Sequence, residues 1–478
     1  MKDKKTKIVC TIGPASESPE ILEKMIQAGM NVARLNFSHG SYPSHAKLIK
    51  NIRIAAKKLN TSIAIMQDLQ GPKIRVGEMP EAGIMLKDGQ HLTLTTRAIK
   101  GTAEVIPVQY KHLPKDVNSG DRILICDGLI DLKVESVKGQ DIECKVIIGG
   151  LVKSHKGINV PTASISANPI TDKDKKDLEF GLKNDVDYIA LSFVKTAANI
   201  AELRELIREK HGQAKIIAKI ERHEAIENIE EIIHEADGIM VARGDMGVEI
   251  PPEHVPLVQK RINKMANLHG KPVIIATEML QSMIENPRPT RAEVSDVANA
   301  VFDHTDAIML SNESAVGKYP VQAVQLLSRI AISIESELKR HQKYRNNQPF
   351  IEDVPLSFAT CSSAAHMASE IEARLIVATT VSGFTAQELA KHRIYVPIVA
   401  ITEDPKVVNQ LQLVWGINHI FLKKISDRNR LSQIKKLILD AKLAHHGDEV
   451  VVVSNASQNI KDICTIVIGN FQVKSNRF

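Results

Sequence analysis

Short apolar runs alternate with amphipathic stretches over most of the chain. Runs rich in β-branched residues fall at 6–12, 31–37, 62–69, 187–194, 214–221, 238–244, 272–278 and 306–312. Helical patterns follow them at 18–29, 45–59, 171–183, 196–211, 223–235, 255–269, 290–302 and 320–338. The stripe Val294, Val297, Ala298 and Val301 has the spacing that lays apolar side chains on one helical face. Start signals sit where the helices require them: Ser18 precedes Pro19, Thr171 stands three residues before Asp174, and Thr290 forms a capping box with Glu293. Eight strand–helix units in series predict an α/β fold, a (β/α)₈ TIM barrel built from residues 1–71 and 169–345.

The third unit is interrupted. Between its strand and its helix, residues 72–168 read as alternating strands such as 91–95 and 122–125, with turns at Asp88-Gly89, Asp127-Gly128 and Lys138-Gly139. This predicts an inserted β-barrel lid domain, emerging at the face where such barrels keep their chemistry. A polar connector with Asn346, Asn347 and Gln348 then leads to a C-terminal α/β regulatory domain, 346–478. Its strand-like runs lie near 374–379, 396–402, 418–422, 449–454 and 464–473.

Composition narrows the function classes. The 478 residues are 43% hydrophobic and 25% charged, ordinary for a soluble globular protein. A net charge of +6 is scattered, and aromatics are only 4%, so no nucleic-acid face is expected. Cys10, Cys126, Cys144, Cys361 and Cys464 are odd in number and contain no C-x-x-C, which argues for reduced thiols and a cytoplasmic protein. No apolar run reaches the ~20 residues of a membrane span, so no membrane partner is expected.

Against this background Lys219 and Glu221 stand out, two charges in the apolar run Ile216-Ile217-Ala218-Lys219-Ile220-Glu221. The strand period of two puts both heads on one face. Asp245 closes a similar run from Gly238. A structural ion pair is the bland explanation, but the strand ends supply more polar groups to the same place. They offer Arg34, Asn36, Ser38 and His39 from the second strand, and Asp68, Leu69, Gln70, Lys73 and Arg75 from the third. The fourth to eighth offer Ser192, Lys219 with Glu221, Gly244 with Asp245, Thr277, and Ser311 with Glu313. Two carboxylates with the remaining positions left to water and phosphate oxygens suit Mg²⁺ or Mn²⁺. Arg34, Arg75 and Lys219 add the positive charge that phosphoryl transfer requires. Gly244 permits close backbone approach, and amides at a helix start there can bind a carboxylate. The expected substrate is small, carboxylated and phosphorylated.

The motifs Asn36-Phe37-Ser38-His39-Gly40, Ile217-Ala218-Lys219-Ile220-Glu221, Val241-Ala242-Arg243-Gly244-Asp245 and Asn286-Pro287-Arg288-Pro289-Thr290-Arg291, in this order, resemble the pyruvate kinase family, and the bacterial type. The resemblance covers essentially the whole length. It implies transfer of a phosphoryl group from phosphoenolpyruvate to ADP, giving ATP and pyruvate. It implies Glu221 and Asp245 as Mg²⁺ ligands and Lys219, Arg34, Thr277 and Arg75 as catalytic groups. Arg34, Gly244, Asp245, Thr277 and Ser192 would line the substrate pocket, and Arg75, Lys156, His39 and Asn36 the nucleotide site. A homotetramer is the family expectation.

Two further readings rest partly on the family. Asn36, Ser38, Asp68 and the Leu69 carbonyl match a K⁺ site in many relatives. Here Leu69, Gln70 and Lys73 replace the usual Thr-Lys and Glu, so the Lys73 ammonium is expected to substitute for the cation and K⁺ not to be required. In the C-terminal domain Thr380, Ser382, Gly383 and Thr385 lie between a strand and a helix, a pattern open to two explanations: an ordinary capped helix start, or an anion site. The resemblance implies a phosphorylated effector there, a sugar monophosphate or AMP. Glu278 and Asn312 also depart from the usual residues and suggest no role. The alternatives are an oxo-acid aldolase or lyase using the same carboxylates, and a catalytically inactive metabolite sensor.

Overall fold

A computed structural model describes residues 4–341, 356–426, 428–455 and 464–470. The connector at Asn346–Gln348, residues 471–473 of the last strand-like run and the side chain of Cys464 lie outside the described residues.

Eight parallel strands close into a barrel: Lys7–Thr11, Val32–Asn36, Ala64–Asp68, Tyr188–Leu191, Lys215–Ile220, Gly238–Ala242, Val273–Ala276 and Ala307–Leu310. Each lies inside its expected run. Side chains between sheet and helices form the largest apolar core, and a second set that includes Val9, Met66, Ile217, Met240 and Met309 fills the barrel. The caps read from the sequence are present at Ser18, Thr171 and Thr290. Two helices differ from expectation. The second starts at Tyr42 rather than 45, because Ser41 forms a capping box with Ser44 and Pro43 sits in the first turn. The helix expected over 223–235 is divided at Asn228 into His223–Glu227 and Ile229–Glu235. There the Asn228 side chain donates to the Lys195 carbonyl at 3.0 Å.

At the amino end of the barrel one contact recurs four times. The residue just before each even-numbered strand is Asn31, Asp187, Asp237 or Asp306. Its side chain accepts the backbone N–H of Ile8, Ile65, Ile216 or Val273 on the preceding odd strand, at 3.1, 2.7, 2.8 and 3.1 Å. These bonds satisfy donors that the ladder leaves open at the strand starts.

The insertion folds as a six-stranded sheet and a two-stranded ladder. Single bridges Arg75–Gly157 and Val76–Val108 join the segment entering the insertion to the ends of the six-stranded sheet, curling it toward closure. The C-terminal part has a five-stranded sheet of Ile417–Leu422, Ile398–Thr402, Leu375–Thr379, Glu449–Asn455 and Cys464–Asn470, in that spatial order. It docks on the barrel base. Arg393 is 2.7 Å from Asp306, the Trp415 N–H donates to Asp306 at 3.1 Å, and Lys406 is 3.4 Å from Asp187. Leu413 reaches the barrel's inner core. Cys10, Cys126 and Cys144 are free thiols, and no described helix is long and apolar enough to cross a membrane.

Candidate active site

The carboxyl ends of strands two to five build a dense ionic cluster. Lys219, 8% exposed, directs its ammonium at three acceptors: Ser192 Oγ at 2.7 Å, Glu221 Oε1 at 2.8 Å and Asp68 Oδ1 at 3.2 Å. Ser192 in turn donates to the Leu69 carbonyl at 2.8 Å. Asp68 Oδ2 accepts Arg34 Nε at 2.6 Å, and Arg34 reaches Thr11 Oγ1 at 2.7 Å. Glu221 Oε2 accepts the Phe193 N–H at 2.9 Å. Burial opposes the Lys219 charge, but Asp68 and Glu221 together outweigh it and hold its pKa above the ordinary value. Burial opposes the Asp68 charge too, yet Lys219 and Arg34 bring its pKa below the usual range. Glu221 goes the other way, raised by burial and by the nearby Asp245 against the pull of Lys219.

Asp245 lies in the helix Arg243–Glu249, which follows the sixth strand directly. Its side chain is exposed and makes no hydrogen bond or ion pair among the described residues, although its charge acts on Lys219, Glu221 and Lys73. A free carboxylate near Glu221, whose oxygens each keep acceptor capacity beyond the Lys219 and Phe193 contacts, fits a hard divalent cation that keeps water and phosphate ligands. The Gly244 amide is already taken, since it donates to Thr277 Oγ1 at 2.9 Å while that hydroxyl donates to the Ala276 carbonyl at 2.6 Å. The carboxylate pocket expected at this amide would need that bond exchanged.

Thr277 and Glu278 both have left-handed backbone, φ +68° and +55°. For β-branched Thr277 this conformation is strained and needs support from its surroundings. Arg243 supplies it. It donates to the Thr277 carbonyl at 2.6 Å and is itself gripped by both oxygens of Asp296, at 2.8 and 2.7 Å. Arg243 belongs to the motif Val241-Ala242-Arg243-Gly244-Asp245, whose pattern alone assigns it no task. Its signal was its place between a buried strand and the Gly-Asp pair.

Three basic side chains share the rim, His39, Lys73 and Arg75. The His39 pKa is lowered by burial, then by Lys73 and Arg75; that of Lys73 by burial, then by Lys219 and Arg75. Lys73 has no ion-pair partner among the described residues. Asn36 Oδ1 caps the Ser38 N–H at 3.1 Å. Two expected contributors are elsewhere. Lys156 is exposed on the insertion, where its charge is felt by Cys126, and its side chain makes no hydrogen bond or ion pair with the strand-end residues among the described residues. Glu313 is fully buried, its oxygens accepting the Leu280 and Ser311 N–H groups at 3.1 and 2.8 Å, so it braces two strand ends and leaves the pocket. In the C-terminal loop Ser382 is exposed while Thr380, Gly383 and Thr385 are buried, with Gly383 in left-handed backbone at φ +88° before the helix Phe384–Lys391.

The family model for the pyruvate kinase barrel domain matches residues 3–324, and that for the pyruvate kinase alpha/beta domain matches 358–467. A pyruvate kinase of Geobacillus stearothermophilus is 47% identical over 463 residues, 94% of this chain and 77% of that protein. Pyruvate kinase 2 of a Synechocystis strain is 44% identical over 465 residues, 96% of this chain and 77% of that protein. A crystal structure of a pyruvate kinase from Cryptosporidium parvum superposes with a TM-score of 0.90 at 38% identity, over 97% of this chain and 96% of the other.

Proposed function

The chain belongs to the pyruvate kinase family and is a phosphotransferase, and from that premise we propose a magnesium-dependent, effector-regulated transfer from phosphoenolpyruvate to ADP, giving pyruvate and ATP. The observation that carries the reading is the Lys219 ammonium, 2.8 Å from Glu221 and 3.2 Å from Asp68, beside the unpartnered Asp245.

Glu221 and Asp245 hold Mg²⁺ or Mn²⁺, whose charge would offset that of the phosphate oxygens. All three Lys219 protons are engaged in the substrate-free cluster, so an arriving phosphoryl oxygen exchanges with one of them. Asp68, the longest contact and the one also served by Arg34, is the partner to give way. Ser192 then keeps the lysine aimed. Arg34 and Arg75 neutralise phosphate, and Gly244, Asp245 and Thr277 line the phosphoenolpyruvate pocket, with Thr277 beside the carbon that receives a proton. His39, Asn36 and Arg75 take the nucleotide, joined by Lys156 when the lid moves over the strand ends.

K⁺ is not needed in this reading. Asp68 already has Arg34 and Lys219, the Leu69 carbonyl has Ser192, and Asn36 Oδ1 has the Ser38 amide. Lys73, exposed at the rim, adds a positive charge nearby. An effector phosphate binds at Thr380, Ser382, Gly383 and Thr385. Its route to the barrel is the following helix, where Gln387 donates to the Gly270 carbonyl at 2.6 Å, close to the start of the strand Val273–Ala276 that leads into Thr277. The functional units divide at 71/72, 168/169 and 345/346.

A coupled assay for ATP formation from phosphoenolpyruvate and ADP, with divalent ions removed and restored, tests the reading. Turnover that survives complete removal of divalent ions refutes the metal assignment. An enzyme that cleaves oxo-acids without forming ATP is the aldolase or lyase alternative.

A further inference from the structure

The chain crosses between barrel and lid twice, and the two crossings are held differently. Near the outgoing one, the Gly71 N–H donates to Asp174 at 3.2 Å. The returning one, residues 159–167, is gripped by side chains from three barrel elements. Arg222 donates to the Ala163 carbonyl at 3.2 Å, Lys195 to the carbonyls of Ile165 and Ala167, and Glu249 accepts the Asn159 side chain at 3.3 Å. Beside it lies a cavity of about 20 Å³, lined in part by Ile158, Val160, Ile165, Phe193, Lys195 and Arg222. That is room for roughly one water. Packing is therefore incomplete here, and polar contacts set the angle of the crossing.

Arg222 is the centre of those contacts. It is 5% exposed and grips Glu224 with two nitrogens, at 3.0 and 3.3 Å, and Glu249 with a third, at 3.4 Å. His223 also lies within 3.4 Å of Glu249 and 3.3 Å of Glu224. His223, Glu224 and Glu249 have the proximity of a metal site. The guanidinium contacts both carboxylates and offsets one of their two charges, so both are already committed as its anchors.

The position of Arg222 in the chain gives it another use. It immediately follows Glu221, while Glu249 is the last residue of the seven-residue helix that presents Asp245. One rigid fork thus joins the strand end bearing the first proposed metal carboxylate, the far end of the helix bearing the second, and the returning lid chain. We propose that Arg222 is a positioning residue that ties lid position to the spacing of Glu221 and Asp245, so that divalent-cation affinity and nucleotide capture are set together. This rests on the assignment of Glu221 and Asp245 made above. A planar, bidentate contact is what lysine cannot reproduce, although it keeps the charge.

The test uses the full-length protein and Mn²⁺ as the probe. Free Mn²⁺ is counted by electron paramagnetic resonance in the absence of substrates, so this readout involves no turnover. Arg222→Lys is expected to weaken Mn²⁺ binding about tenfold, and to raise KM for ADP by a larger factor than it lowers kcat. A merely structural role would reduce the active fraction, lowering kcat with KM and Mn²⁺ affinity unchanged, and that result overturns the proposal. Asn159→Ala loosens the lid side without stranding a buried charge, and should raise KM for ADP in the same sense; an unchanged KM also counts against the coupling. Glu221→Gln and Asp245→Asn separate the two levels. If each abolishes Mn²⁺ binding while Arg222→Lys binds as wild type, the positioning role alone fails. If neither affects binding, the carboxylate assignment fails, and the inference with it.

Discussion

Replacing Lys219 with methionine keeps an unbranched chain one atom shorter and removes the charge. With an effective dielectric constant of about 20, a unit charge 2.8 Å from Glu221 and 3.2 Å from Asp68 is attracted by about 6 and 5 kcal/mol. Most of that attraction is cancelled by the several kcal/mol needed to strip water from a buried ammonium. Arg34 remains on Asp68 at 2.6 Å, so only Glu221 loses its main partner. Breaking a buried pair costs about 3–5 kcal/mol, and here the lower end applies. In a barrel of this size that lowers the melting temperature by roughly 5–10 °C. Catalysis should suffer far more. Loss of a cation at the transferring phosphoryl group is expected to reduce kcat by roughly 10³-fold, about 4 kcal/mol. Enolate protonation is a separate event, so exchange of pyruvate methyl protons with solvent should survive better than ATP formation. Circular dichroism, melting curves, the coupled kinase assay and proton exchange by NMR give the four readings. A folded variant with near-normal ATP formation would show that Lys219 is only a structural ion.

The wild-type enzyme should be fully active in K⁺-free buffer with a bulky organic cation, Lys73→Glu should lower that activity and KCl should partly restore it; strong stimulation of the wild type by KCl rules the idea out. Ser382→Glu should abolish calorimetrically detected binding of a sugar monophosphate or AMP, and equal binding by both proteins would remove the effector from this loop. Burial and then Lys391 push the His392 pKa down to about 4, below its value of about 6.5 in an unfolded chain. The unfolded chain therefore binds the proton more readily, so this stability is fully present above pH ~6.5 and is lost as pH falls toward 4, by about 3 kcal/mol at most. His392→Phe should flatten the decline in melting temperature between pH 7.5 and pH 4.5, and an identical decline in both proteins would refute the assignment.

The eight strand runs were legible because strands buried on both faces leave short apolar stretches between helical stripes, and the helix caps because they are local. Lys219 and Glu221 were legible for a related reason: two charges in a buried strand stand out against their neighbours. The supports around them were not. Arg243 acts through Asp296, 53 residues away, and Arg222 through Glu249 and Ala163, 27 and 59 away, so each pairing exists only once the units have closed. The left-handed backbone at Thr277 has no signal in its residue type, since β-branched residues ordinarily avoid it. Glu313 misled for a physical reason: a carboxylate at a strand end reads the same whether it faces ligand or accepts backbone amides, and here it accepts two.

The repeated side chain at the foot of each even strand has a mechanical consequence. An Asp tethered to its neighbouring strand still has acceptor capacity for a visitor, and the ring offers this at regular intervals. Asn31 and Asp237 turn theirs to the barrel's own Lys4 and Arg204. Asp187 and Asp306 give theirs to the C-terminal domain, and the strands they precede, the fourth and the eighth, stand on opposite sides of the ring. A body resting on two bearings across a diameter resists sliding and twisting over the base. Lys7 on the Ile417 carbonyl and Gln387 on the Gly270 carbonyl, both at 2.6 Å, add supports on either side of that line, so tilt is opposed as well and a displacement of the C-terminal domain is handed to the barrel base as a whole.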